Sequence, residues 1–171
     1  MDNTKKTVTL LEQPVELGGR LAAWLSVLLV IVMGLIVVLR YGFSFGSISL
    51  QESVIYINTL MVVFGAAYTL KQDGHVRVDV FYGRMTNRRK AMVNVLGTVL
   101  LLLPAMAYIA WVSWDYVAAS WVVRERSAEN SGLPWVYWLK SGILLLCALL
   151  LWQGVAELLK ALHRLKQGNT S

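Results

Sequence analysis

Cysteine, histidine and charge are all scarce in this chain, and each scarcity closes off a kind of chemistry. The one cysteine, Cys147, can form neither an internal disulfide nor a Cys-x-x-Cys pair, which excludes thiol–disulfide exchange. Lying inside an apolar run, it reads as a small buried hydrophobe. The two histidines, His75 and His163, fall outside the long apolar runs, whereas a membrane haem needs histidines facing one another within a bundle. No metal-ligand spacing, glycine-rich phosphate loop or Ser–His–Asp grouping is present. Charged residues are only 15% of the 171 positions, against about 25% in a soluble domain. No catalytic residue, metal or cofactor is therefore expected.

What the chain has is apolar residues, 57% of the total, gathered in blocks. The net charge of +6 comes from basic residues at the ends of those blocks, where anionic lipid headgroups meet them. Membrane lipid is thus the expected partner of these bases, and nucleic acid is not.

Four runs are long enough to cross a bilayer. Leu21 to Leu39 has no charge for about 19 residues, or roughly 28 Å of helix. It is longer than a signal-peptide core and lacks a small-x-small cleavage site, so it is expected to stay as a first span. Ser53 to Leu70 follows, preceded by "SLQE", which reads as a capping box with Ser49 at the N-cap and Glu52 at N3. The third run, Ala91 to Trp114, holds Pro104 near its middle and predicts a kink there. The fourth starts near Pro134, a residue suited to a first helical turn. Lys140 interrupts it about two turns in and is expected to snorkel outward.

Basic residues set the direction. Lys5, Lys6, Arg20, Lys71, Arg77, Arg84, Arg88, Arg89, Lys90, Lys160, Arg164 and Lys166 fall on one side, and Arg40, Arg124, Arg126 and Lys140 on the other. The expected fold is an all-α membrane protein of four transmembrane helices with both termini cytoplasmic and short interfacial segments. One membrane domain fills residues 1–171, with spans near 18–40, 50–70, 88–118 and 133–160. A cytoplasmic connection covers 71–87 and a periplasmic loop 119–132.

The most charged stretch, "KQDGHVRVDVFYGRMTNRRK", sits between the second and third spans. His75, Arg77 and Asp79 alternate there with valines, a strand-like period that in so short a surface connection reads as an extended or interfacial turn. Asn87 is placed to cap the third span. Asp115 reads as a solvated helix end beside Trp114 and Tyr116.

Packing signals are clearer than chemical ones. Gly18, Ala22 and Ser26 make a small-xxx-small stripe that lets helices approach closely. Glu52, Tyr56, Thr59 and Ala66 fall near one face of the second span. Five tryptophans, Trp111, Trp114, Trp121, Trp135 and Trp138, gather toward the outer side, as in an aromatic belt. The loop among them carries Arg124, Glu125, Arg126 and Glu129, a mixed-sign rim suited to docking a protein.

Three segments together carry a resemblance. "VFGAAYTLKQDGHVRVDVFY" closes the second span, Glu52 opens it, and "SGLPWVYWLKSGI" enters the fourth. With the length and the four spans, the chain resembles the small membrane (DctQ-like) subunit of tripartite ATP-independent periplasmic, or TRAP, transporters. It departs from many members at Lys140-Ser141-Gly142, where they have a proline–glycine step. The resemblance implies a bacterial inner-membrane location and two partners, a large membrane subunit (M component) and a periplasmic solute-binding protein (P component). It also implies sodium-coupled transport of carboxylates or related solutes, with solute and sodium bound by the large subunit. The small subunit is then similar to a fixed brace for an elevator-type partner. On that reading Gly18, Ala22, Ser26, Glu52 and Tyr56 face the large subunit. Arg124, Glu125, Arg126, Glu129 and Trp135 help dock the binding protein, and His75, Arg77 and Asp79 form a cytoplasmic turn or lipid contact. The alternatives are a self-assembling small channel or exporter, and after it a membrane-embedded enzyme.

Overall fold

The computed structural model describes residues 3–72, 74 and 85–167, and all regular structure among them is helical. Helix α1 covers Asn3–Gly42 and α2 Ile48–Lys71. The third span is built from α3 (Asn87–Gly97), a π-helical turn (Thr98–Leu102) and α4 (Leu103–Val122). The fourth span is α5, Val136–Gln167. Four stretches are long and apolar enough to cross a membrane: Val8–Gly42, Ile48–Lys71, Arg88–Val122 and Val136–His163.

The first helix greatly exceeds its apolar run. Its 40 residues span about 60 Å, twice a hydrocarbon core. The added turns carry Glu12 and Glu16, which would be costly near lipid if left alone. They are not alone: Lys160 lies 2.5 Å from Glu12, and Lys71 lies 2.5 Å from Glu16. Pro14 sits within this helix, where it cannot donate to the preceding turn. In that turn the Leu11 carbonyl accepts a 2.8 Å hydrogen bond from the Trp152 indole.

The π turn is the structure's answer to Pro104. A proline lacks the N–H that would bond the carbonyl four residues back, and its ring presses on that carbonyl. Widening the preceding turn relieves the clash, and Leu103 N–H accordingly bonds Thr98, five residues back. Gly154 of α5 gives this wide turn room: a Cβ there would lie 3.0 Å from Leu102 and 3.3 Å from Leu103.

Contacts are unevenly shared. α1 packs along α2, α2 along α5, and α1 also reaches α5, so these three form one cluster. The third span packs on α5 and has no extensive contact with α1 or α2 among the described residues. α5 is thus the common neighbour. Its inward face holds Cys147, Gln153, Ala156 and Ala161, all buried. Cys147 is the small buried filler expected. Gln153 tolerates full burial in part because its amide donates 2.9 Å to Glu157.

The ion pairs fix which ends coincide. The start of α1 and the ends of α2 and α5 lie together, forming a basic end. The 43–47 and 123–135 connections lie at the other, the loop end.

Candidate functional site

At the loop end, the capping box is not the one the sequence suggested. Ser47, extended at φ −124° and ψ 119°, is the N-cap and accepts from Leu50 N–H at 3.4 Å. Ser49 already lies in the first turn, and its hydroxyl donates to the Ser131 carbonyl across the gap. That leaves Glu52 free of capping duty. Its carboxylate accepts from Leu133 N–H at 2.6 Å and from the Ser127 hydroxyl. The same Ser127 oxygen accepts from Glu129 N–H at 3.1 Å, and Ser127 N–H bonds the Leu133 carbonyl at 3.2 Å. One acid of α2 therefore shapes a loop some 80 residues later. Gly132 completes the fit, because a Cβ there would run into Ser127 and lie 2.7 Å from the Glu52 carboxylate.

The loop begins with a Schellman turn. Arg124 adopts φ 46°, Arg124 N–H bonds Trp121, and Glu125 N–H bonds Ser120. A glycine usually takes this left-handed position; here an arginine does. The turn aims Glu125 back at α5, where Lys140 donates to it at 2.5 Å and sits 4.0 Å from the Tyr116 ring centre. Lys140 thus stays within the protein rather than snorkelling outward as expected. Its hydrogen bond holds the Glu125 carboxyl below the usual carboxylate range. Nearby, the Trp121 indole donates 2.8 Å to Ser141 and meets Tyr137 and Trp138 edge-on at 4.8 and 5.2 Å. Between α2, Tyr116 and α5 a groove of about 370 Å³ opens, with Asn58, Thr59 and Lys140 as its polar lining.

The candidates from sequence scatter into distinct surroundings. Gly18 and Ala22 are buried: a Cβ on Gly18 would lie 3.2 Å from Phe64, and Gly65 backs onto Ala22. Both therefore serve the α1–α2 contact inside the chain. Ser26 bonds its own helix at Ala23, 2.7 Å away. Tyr56 is half-buried, with a hydroxyl that is buried and has no hydrogen-bond partner among the described residues. Arg124, Arg126, Glu129 and Trp135 are exposed on the loop, whereas Glu125 is taken by Lys140. His75, Arg77 and Asp79 lie outside the described residues. Among the described residues no three His, Cys, Asp or Glu gather in a metal-holding group.

Two features escaped sequence reading. Gly19, not Gly18, marks the closest approach, since a Cβ there would overlap the Tyr68 ring; the adjacent glycine pair was the available signal. Ser127 and Leu133 gave none, because the residue that binds them lies in another span.

No curated protein and no solved structure gives a match. A family model does, over residues 21–164, described as the DctQ component of tripartite ATP-independent periplasmic transporters. That stretch takes in the first membrane stretch from residue 21 onward, the whole of the other three and the latched loop, and this chain belongs to that family of transporter components.

Proposed function

We propose that the chain is the stationary small subunit of a sodium-coupled, binding-protein-dependent transporter for carboxylates or related solutes, bracing the large membrane subunit. Family membership supports the transporter setting. The observation that carries the brace is the cross-tying of α1, α2 and α5. Glu12–Lys160 and Glu16–Lys71 join them at one end, while Glu52 ties α2 to the loop that enters α5 at the other. A body fastened at both ends resists shear when a neighbour moves against it.

The basic end faces the cytoplasm and the loop end the periplasm, following the lysine and arginine bias. On the periplasmic side Arg124, Arg126, Glu129 and Trp135 form a rim against which the solute-binding protein docks. Glu125 is excluded from that rim by Lys140, so the free charge presented is mainly positive.

Purification through a tag on this chain tests the brace: a large membrane subunit is expected to co-elute, and flux is expected only when it is present. Solute flux driven by sodium through vesicles holding this chain alone would sink the reading. For orientation, Ser131→Cys should react with an impermeant maleimide from the periplasm in intact cells, Cys147 being buried. Labelling only after the inner membrane is opened would reverse the topology.

A further inference from the structure

α4 has two seams at seven-residue spacing. One, through Met106, Ser113, Val117 and Ser120, turns toward α5 and includes the helix's two buried residues, Val117 and Ser120. Directly opposite runs a second seam, Tyr108, Asp115 and Val122, with Trp111 and Ala118 between them, which Leu101 of the π turn extends. All of these are exposed, and Leu101, Tyr108, Trp111 and Val122 are 71%, 63%, 76% and 84% exposed.

Asp115 is out of place there. The sequence alone made it a solvated helix end, but it lies seven residues, about 10 Å, inside the end of its span. Along the helix it falls between Trp114 and Trp121, about 9 Å from the latter, among the tryptophan-bearing turns of the span. An aspartate side chain is too short to climb back to the headgroups as a lysine does. Glu12, Glu16, Glu52, Lys71, Lys140 and Lys160 all find partners within the chain. Asp115 has none among the described residues. Ionisable groups inside a membrane are costly and pair with something.

We propose that this outward seam of α4 seats a transmembrane helix of the large subunit, and that Asp115 pairs with a lysine or arginine on that helix. The inference rests on the reading of this chain as a small subunit. Seven-residue spacing suits a left-handed crossing of about 20°, and Ala118 allows close approach beside the carboxylate. A single polar side chain in such a seam also fixes register. A second copy of this chain is the poorer occupant, because a two-fold pairing along the seam brings Asp115 toward its own negatively charged mate.

The test co-expresses this tagged chain with its large subunit and compares Asp115→Asn, Asp115→Leu and Asp115→Lys. Retention of the large subunit through a detergent wash should fall severalfold in the first two and nearly vanish in the third. The isolated chain should unfold at the same temperature with Asn as with Asp. A benzophenone side chain at Tyr108 or Val122 should cross-link to the large subunit, and one at Leu28 on α1 should not. Undiminished retention in all three variants, or cross-links from the seam only to lipid or to another copy, would overturn the seam while leaving the small-subunit reading intact. Failure of the unaltered chain to retain any large subunit would overturn that reading and the seam with it.

Discussion

The two ends of this molecule are held by different means. At the basic end, side chains on three helices pair charge against charge, with Lys160 between Glu12 and Glu157 at 2.5 and 2.6 Å. At the loop end a single ion pair, Lys140–Glu125, stands beside bonds that join a carboxylate or a hydroxyl to backbone: Glu52 to Leu133 N–H, Ser49 to the Ser131 carbonyl. The first kind fastens helices that would exist anyway. The second kind gives shape to a segment that has no repeating structure of its own. Losing the first should therefore loosen the body as a whole, whereas losing the second should loosen one loop.

Substitutions at each end can break that contrast. Lys160→Met leaves two carboxylates facing each other without their ammonium, and should lower global stability by about 2–3 kcal/mol, less than for a fully buried pair. Unfolding in detergent, followed by tryptophan fluorescence, measures it. Gly19→Val forces a side chain into the Tyr68 ring and should cost about 1–3 kcal/mol in the same assay. Glu52→Ala strands the Leu133 N–H; hydrogen exchange should rise across 127–133 with little change in α1. Glu52→Gln keeps an acceptor and should do so less. Because the two ends are far apart, the Lys160 and Glu52 effects should add to within about 0.5 kcal/mol. A larger coupling would mean that the ends are not independent.

Arg124→Gly sharpens the comparison from the other direction. It relieves a left-handed arginine and should stabilise the fold by about 1 kcal/mol. If the rim docks a binding protein, the same change weakens docking, so stability and affinity should move oppositely in one variant. The smallest effect concerns pH. Glu125 is held below its ordinary value, so the Lys140–Glu125 tie contributes fully above the unfolded carboxylate value of about 4.3 and is lost as pH falls through the folded one. Emission from Trp121 and Trp138 should change only in that acid window, and Lys140→Met should abolish the step.

The four spans were legible because each is a long apolar run, uncharged but for Lys140 in the fourth, and hydrocarbon thickness does the rest. The true start of α1 was not, since Glu12 and Glu16 look prohibitive until Lys160 and Lys71 arrive from other helices. Pro104 announced an irregular turn, but not that it would take the form of a widened one, for which Gly154 supplies space from α5. Glu52 matched a local capping rule closely enough to mislead; the serine that caps α2 lies five positions earlier. The seam on α4 was not read from the sequence, where Asp115 stood only as a solvated helix end. Which way it turned depended on α5, the only helix that the third span packs against extensively among the described residues.

That shared dependence on α5 has a consequence for assembly. Chains enter the membrane in order of synthesis, so α5 arrives after the other three spans. Until then the third span, with its widened turn and stranded aspartate, has no neighbour of its own to lean on. Cells must either complete the fourth insertion promptly or shelter the newcomer, and a released chain cut short at Leu133 should leave it a ready target for membrane proteolysis.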